Sequence, residues 1–192
     1  PSARIDAAAG LILLARQPSC ADEEVIQSID RLSQDPVPAV RFQIAIRVNG
    51  LYYTAPELMW QILGRYSYEE ASNSILQALV NESFRRLAGA NIERTLELTQ
   101  AIFSRATDKV KFKNTRAACL SFFADLYLWE GNTQCGSLVQ AAIDTPANSP
   151  DEARTILLHL RDLLTVEISE PSDPKLEPAR RRAVELMQRI VY

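Results

Sequence analysis

Residues 32–51 of the chain, LSQDPVPAVRFQIAIRVNGL, combine a chain reversal, a helix start and a long apolar run. Pro36 and Pro38 each lack an amide donor and each hold φ near the helical value. Proline is therefore tolerated only before a helix or within its first turn. This stretch predicts that a helix begins near Pro38.

The helix that starts at Pro38 is apolar on more than one side. One stripe along it consists of Val40, Ile44, Val48 and Leu51, and further apolar residues are spread over the remaining surface. A helix with several apolar sides must be covered by neighbours on several sides. We therefore expect this helix to lie between other helices.

Arg41 interrupts the apolar run at a point where an unpaired charge is costly. Asp35 lies upstream of it at the chain reversal. We predict that Asp35 and Arg41 interact, either across this turn or between adjacent turns.

The residues of the reversal and the helix resemble the first-helix signature of HEAT repeats, the antiparallel helix pairs that stack into α-solenoids. The matching positions are Leu32, Asp35, Val40, Arg41, Ala45 and Leu51. In that family the matching Asp and Arg join a ladder between successive repeats, and the resemblance implies the same structural task for Asp35 and Arg41.

An internal repeat supports the resemblance. Sliding the sequence by 37 residues aligns Pro1 with Pro38, Arg4 with Arg41, Ile5 with Phe42, Ala8 with Ala45, Leu11 with Val48 and Leu14 with Leu51. A period near this value is typical of helical-repeat arrays, although HEAT and armadillo units usually span about 40 to 47 residues. We predict an all-α fold, a HEAT-like or armadillo-like α-solenoid of about nine or ten helices with no sheet.

The length of 192 residues is enough for one domain or for about four or five helix pairs. We interpret residues 1–192 as a single helical-repeat domain, with a more regular half at 1–107 and a less regular half at 108–192. The second half lacks another Asp-x4-Val-Arg pattern. Because the chain starts with Pro1 near the beginning of a repeat, we expect it to be a piece of a longer protein.

Several shorter patterns predict helix ends. Residues 54–57 (TAPE) and 67–70 (SYEE) each match a capping box, in which a hydroxyl and a carboxylate satisfy orphan amides. Asn91 is predicted to cap the start of another helix. Gly131 is predicted to end the most apolar helix of the chain, which starts at Asn114 or Thr115.

Composition argues against several classes of protein. The net charge of −3 provides no global attraction to nucleic acid or to anionic lipid. Cys20, Cys119 and Cys135 are odd in number and show no CxxC spacing, which indicates reduced thiols in a cytoplasmic protein. No apolar run is long enough to predict a membrane span.

Motifs of catalysis and cofactor binding are absent from the sequence. It contains no GxxxxGKS or GxxxxGKT, no GxGxxG after a strand and no HExxH. The single histidine, His159, stands among leucines and is interpreted as structural. The acidic pairs Glu69-Glu70 and Asp151-Glu152 are at predicted helix starts, where the helix dipole explains them. We therefore predict no enzyme activity, no cofactor and no metal site.

A basic cluster around a predicted helix start is a candidate binding site. It consists of Lys109, Lys111, Lys113 and Arg116, which suit a phosphate or an acidic partner. The alternative is a solvated, lysine-rich loop. The arginines at 180–182 point in different directions around a helix, which favours a solvated face.

Aromatic residues are crowded near one predicted repeat. They are Tyr52, Tyr53, Trp60, Tyr66 and Tyr68. Aromatic side chains are typical anchors of interfaces. The alternative is that they are ridge residues packed between repeats.

These observations favour a non-enzymatic protein–protein interaction module, a scaffold, adaptor or sensor that offers an extended surface to a protein or peptide partner. A second hypothesis is a regulatory region of a larger enzyme, such as a bacterial signalling or defence NTPase. A third is nucleic-acid binding on a HEAT-like curve, as in alkylpurine glycosylases of that fold. The overall acidity argues against the third.

Overall fold

The computed structural model describes residues 2–144, 150–165 and 174–191. Within these ranges the backbone forms ten helices and no strand, so the prediction of an all-α fold is confirmed. The helices are α1 Ser2–Ala15, α2 Glu23–Ser33, α3 Pro38–Ala45, α4 Pro56–Glu69, α5 73–87, α6 Ile92–Arg105, α7 Lys113–Glu130, α8 Thr133–Asp144, α9 Pro150–Thr165 and α10 Leu176–Val191.

The chain divides into two compact units, Pro1–Thr115 and Arg116–Tyr192. Helices α1 to α6 belong to the first unit and α8 to α10 to the second. Helix α7 begins at the end of the first unit and continues in the second.

The helices of the first unit form two rows. Helix α1 contacts α3 and α3 contacts α5, whereas α2 contacts α4 and α4 contacts α6. Helix α2 also contacts both α1 and α3. Within a row, each helix therefore contacts the helix two places further along the chain. Helix α3 has neighbours on three sides.

The stripe that follows Pro38 is fully buried, as predicted. Val40, Ile44, Val48 and Leu51 expose none of their surface. The stripe is not carried by one helix, because α3 ends at Ala45 and a 3-10 turn at Val48–Leu51 supplies the last two residues.

The predicted cap at Asn91 is confirmed, since its Oδ1 accepts the Arg94 amide at 3.0 Å. The two predicted capping boxes are wrong. Pro56 is the first residue of α4, so the N-cap is Ala55, and no side chain caps that helix. Ser67 lies in the last turn of α4, where its hydroxyl bonds the Leu63 carbonyl at 2.8 Å.

The second unit contains most of the apolar helix α7, whose buried apolar residues are Ala118, Cys119, Leu120, Phe122, Phe123, Ala124, Leu126 and Leu128. Helix α9 contacts α8 and α10. His159 of α9 lies with Nε2 2.5 Å from Asp125 Oδ1 of α7, which agrees with a structural histidine.

Gly131 ends α7, as predicted, with a φ of +70°. The guanidinium of Arg182 lies beside it and donates to the Leu128 carbonyl at 2.5 Å. A Cβ at position 131 would lie 2.8 Å from Nη2 of that arginine.

Gly131→Ala should therefore lower the free energy of unfolding by about 1–2 kcal/mol, because a left-handed residue with a Cβ is strained. Thermal unfolding followed by circular dichroism measures the loss. Gly89→Ala is the control, since Gly89 has open space and no positive φ. A change equal to that of the control would contradict the prediction.

Candidate binding groove

An open groove of about 750 Å³ runs along the row formed by α1, α3 and α5. Its apolar part consists of Leu13 from α1, Phe42 and Ile46 at α3, and Ala78 from α5. Leu13 exposes 51% of its surface, although it is a large aliphatic residue. Phe42 and Ile46 are half-buried. Exposed apolar area of this kind is stabilised when a ligand covers it.

The rim of the groove is positively charged. It carries Arg16, Arg47 and Arg86 against the single carboxylate of Glu82. Arg86 is paired with Glu82 at 2.7 Å, and Arg47 donates to the amide oxygen of Gln43 at 2.6 Å. Among the described residues, neither Arg16 nor Arg47 has a carboxylate partner. Two guanidinium charges in the groove are therefore uncompensated.

Gly50 provides the space in which Arg16 lies. A Cβ on Gly50 would lie 2.3 Å from Nε of Arg16, which is too close, and 3.0 Å from Nη2, which is a tight contact. Without a Cβ at residue 50, the guanidinium of Arg16 can lie this close to the backbone. Arg16 therefore lies beside the 3-10 turn at Val48–Leu51.

The third wall of the groove is an irregular helix. Within α5, residues Leu79–Phe84 form π-helix, and Asn81 and Glu82 from this segment line the groove. The hydroxyl of Ser83 donates to the Ala45 carbonyl at 2.7 Å, which satisfies a carbonyl at the end of α3. π-helical turns are rare and occur frequently at functional sites.

Two carboxylates tie the walls of the groove together. Asp35 accepts from Arg4 of α1 at 2.7 Å and from the Val37 amide at 2.8 Å, next to the start of α3. The predicted contact with Arg41 is made through the main chain, because Arg41 donates to the Asp35 carbonyl at 2.7 Å. The carboxylate of Asp35 is used by Arg4 instead.

Glu70 occupies the corresponding place before α5. Its carboxylate accepts from Arg41 Nε at 2.7 Å and Nη2 at 3.1 Å, and from the amides of Ala71 and Ser72 at 2.9 and 2.8 Å. Burial alone would raise the pKa of Glu70, but the bonds from Arg41 and the two amides lower that pKa below its ordinary value. Glu70 is therefore charged in the folded protein at neutral pH.

The basic cluster predicted from the sequence does not line the groove. Lys109, Lys111 and Lys113 are exposed in the first unit, and Lys111 Nζ lies 4.8 Å from the ring centre of Phe112. Arg116 belongs to the second unit, where it forms an ion pair with Glu152. The role of these residues in binding stays a prediction.

The predicted aromatic group is divided between interior and surface. Trp60 and Tyr66 are buried, and the Tyr66 hydroxyl donates to the Ser33 carbonyl at 2.9 Å. Tyr53 and Tyr68 are exposed. Arg94 lies over the Trp60 ring at 4.6 Å. The buried members are therefore packing residues of the first unit.

Two of the three cysteines, Cys119 and Cys135, are buried. Burial raises the pKa of Cys135 to about 12 and raises the pKa of Cys119 as well. A thiolate is the reactive form of cysteine, so neither side chain is suited to nucleophilic chemistry at neutral pH. No group of His, Cys, Asp and Glu suited to a metal ion occurs within the described ranges.

The groove residues were not identified from the sequence as a site. Arg16 directly follows the end of α1, Arg47 lies two residues after the end of α3, and Arg86 lies in the last turn of α5. An arginine at or just after the end of each of α1, α3 and α5 is the signal that the sequence contained. Cations at helix C-termini are also stabilised by the helix dipole, so this signal alone does not indicate binding.

The described residues thus define an all-helical protein with an open, positively charged groove in its first unit. Comparisons of the chain with profiles of known protein families, with curated protein sequences and with solved structures find no match. Of the helices in the described part of the chain, none combines the length and apolar character needed to cross a membrane.

Proposed function

We propose that the first unit is a HEAT-like helical-repeat module that binds a segment of a partner protein in the groove along α1, α3 and α5. In this proposal the chain is a cytoplasmic scaffold, adaptor or sensor and carries no catalytic role. The observation that carries the proposal is the groove itself, which is lined by Leu13, Phe42 and Ile46 together with three arginines.

The contacts of the first unit support a repeat array. In such an array each helix pair packs only on its neighbours, and the stacked pairs present a continuous surface. The two rows, α1-α3-α5 and α2-α4-α6, follow this rule. The pairs Arg4–Asp35 and Arg41–Glu70 recur between successive helix pairs, as the resemblance to HEAT repeats implies for Asp35 and Arg41.

The test compares two adjacent leucines. Leu13 lines the groove and Leu14 does not, yet the two expose similar fractions of their surface, 51% and 45%. A random peptide library displayed on phage is selected on the full chain, and the Kd of the enriched peptides is measured. Leu13→Glu should weaken binding by about tenfold or more, equivalent to ~1.4 kcal/mol. Leu14→Glu should leave the Kd unchanged.

Two outcomes would overturn the proposal. One is that no peptide is enriched on the folded wild-type chain. The other is that the enriched peptides bind the Leu13→Glu and Leu14→Glu variants equally well, since these peptides would then bind outside the groove. Circular dichroism spectra of both variants establish that a loss of binding is not a loss of fold.

A further inference from the structure

The charge of the groove is opposite to the charge of the whole chain. The protein has a formal net charge of −3, yet the rim holds three arginines against one glutamate. Because Arg86 is already paired with Glu82, the uncompensated charge belongs to Arg16 and Arg47. A positive groove on an acidic protein attracts anionic groups locally and repels extended polyanions at longer range.

From this complementarity we infer that the groove recognises an acidic peptide segment, with carboxylates on Arg16 and Arg47 and an apolar side chain on Leu13, Phe42 and Ile46. The inference rests on the proposed function and specifies the chemistry of its partner. Guanidinium groups bind carboxylates through paired, charge-assisted hydrogen bonds, which fix the direction of the bound segment. The apolar residues between the arginines supply the affinity that exposed ion pairs lack.

The placement of the arginines sets the spacing of the acidic residues. Arg16 and Arg47 follow the ends of helices that are in contact, and the axes of packed helices are roughly 8–10 Å apart. A peptide in the polyproline II conformation rises by about 3.1 Å per residue and has three residues per turn, so two carboxylates three residues apart lie on one face and span that distance. The apolar side chain then lies between them and above the floor of the groove.

The same features argue against a nucleic acid in the groove. Binding to a phosphate backbone relies on many cations along an extended surface, whereas here two guanidinium groups are uncompensated. Glu82 also places a carboxylate in the wall. An apolar floor offers nothing to a phosphate or a sugar but covers an aliphatic or aromatic side chain well.

The probes for the experiment are three labelled molecules. The first is a peptide with two glutamates three positions apart and leucine and phenylalanine between them. The second is the same peptide with glutamine in place of glutamate, and the third is a short DNA duplex. Their Kd values for the full chain are measured by fluorescence anisotropy at low and at high salt.

We expect the glutamate peptide to bind about tenfold or more tightly than the glutamine peptide at low salt, with a smaller difference at high salt because the charges are screened. Arg47→Glu should abolish the difference. Arg31→Glu, an equal change of charge at an exposed residue of α2, should preserve it.

A second variant moves Arg16 without removing its charge. In Gly50→Ala the new Cβ would meet the end of the Arg16 side chain, which is flexible, so the side chain shifts and the fold persists. This variant should weaken binding of the glutamate peptide and leave binding of the glutamine peptide nearly unchanged. Thermal unfolding of the variant verifies that it is folded.

The inference fails if the two peptides bind equally, if Arg31→Glu is as damaging as Arg47→Glu, or if the DNA duplex binds more tightly than the glutamate peptide. It also fails if the wild-type chain does not bind the glutamate peptide. These failures differ from a failure of the proposed function, which depends on the phage-selected peptides and their response to Leu13→Glu. If the selected peptides are neutral and Leu13→Glu weakens their binding, the groove remains the proposed binding site but recognition of acidic residues is excluded.

Discussion

Glu70→Ala should lower the free energy of unfolding of the first unit by about 3–5 kcal/mol, the usual cost of removing one partner of a buried ion pair. The side chain of Glu70 is 4% exposed and that of Arg41 is 19% exposed, so water cannot fully replace the lost carboxylate. The amides of Ala71 and Ser72 lose their acceptor as well, at the start of α5.

The two tryptophans allow this loss to be assigned to one unit. Trp60 lies in the first unit and Trp129 in the second. In a Trp129→Phe background, tryptophan fluorescence during denaturation by urea reports on the first unit alone. Glu69→Ala is the matched control, because Glu69 is the adjacent acidic residue and is exposed. Similar effects of the two changes would contradict a structural role for the Glu70 carboxylate.

The same carboxylate makes the stability of the first unit depend on pH. The folded pKa of Glu70 lies below its ordinary value of 4.5, so its stabilisation is fully present above that value and is lost as the pH falls through the folded pKa. Glu70→Gln keeps the shape of the side chain but removes its charge. The stability difference between wild type and this variant should therefore be large at neutral pH and shrink below about pH 4.5. A difference that is independent of pH would contradict the assignment.

Local patterns in the sequence were enough to predict much of the fold. The prolines at the start of α3, the apolar stripe after them and the cap at Asn91 each act within a few residues, and each is found in the structure. The role of Glu70 was missed because its partner Arg41 lies 29 residues away. The nearby Ser67 suggested a capping box, but α4 continues past it and buries its hydroxyl.

The groove was hidden from the sequence for the same physical reason. Arg16, Arg47 and Arg86 are far apart in the chain and become neighbours only when α1, α3 and α5 form a row. The lysine-rich stretch at 109–113 was conspicuous because its charges are adjacent in sequence, which says little about what a folded surface presents. A group of charges contributed by several helices can be identified only when the packing of those helices is known.

The second large effect is expected at Ile44, the residue at the centre of the row. Ile44 is fully buried in α3, which contacts α1, α2 and α5, so few atoms are free to fill a space left there. Ile44→Ala should therefore lower the free energy of unfolding of the first unit by about 2–5 kcal/mol, through lost apolar burial and a residual cavity.

Ile46→Ala removes the same atoms from a residue that is half-buried and lines the groove. Because less apolar area is lost and the site is open, this change should cost only about 1 kcal/mol. Urea denaturation of both variants, followed by Trp60 fluorescence in the Trp129→Phe background, measures the two losses. The contrast also tests the groove, since equal losses would mean that Ile46 is enclosed as fully as Ile44. A ligand would then have no apolar floor to cover.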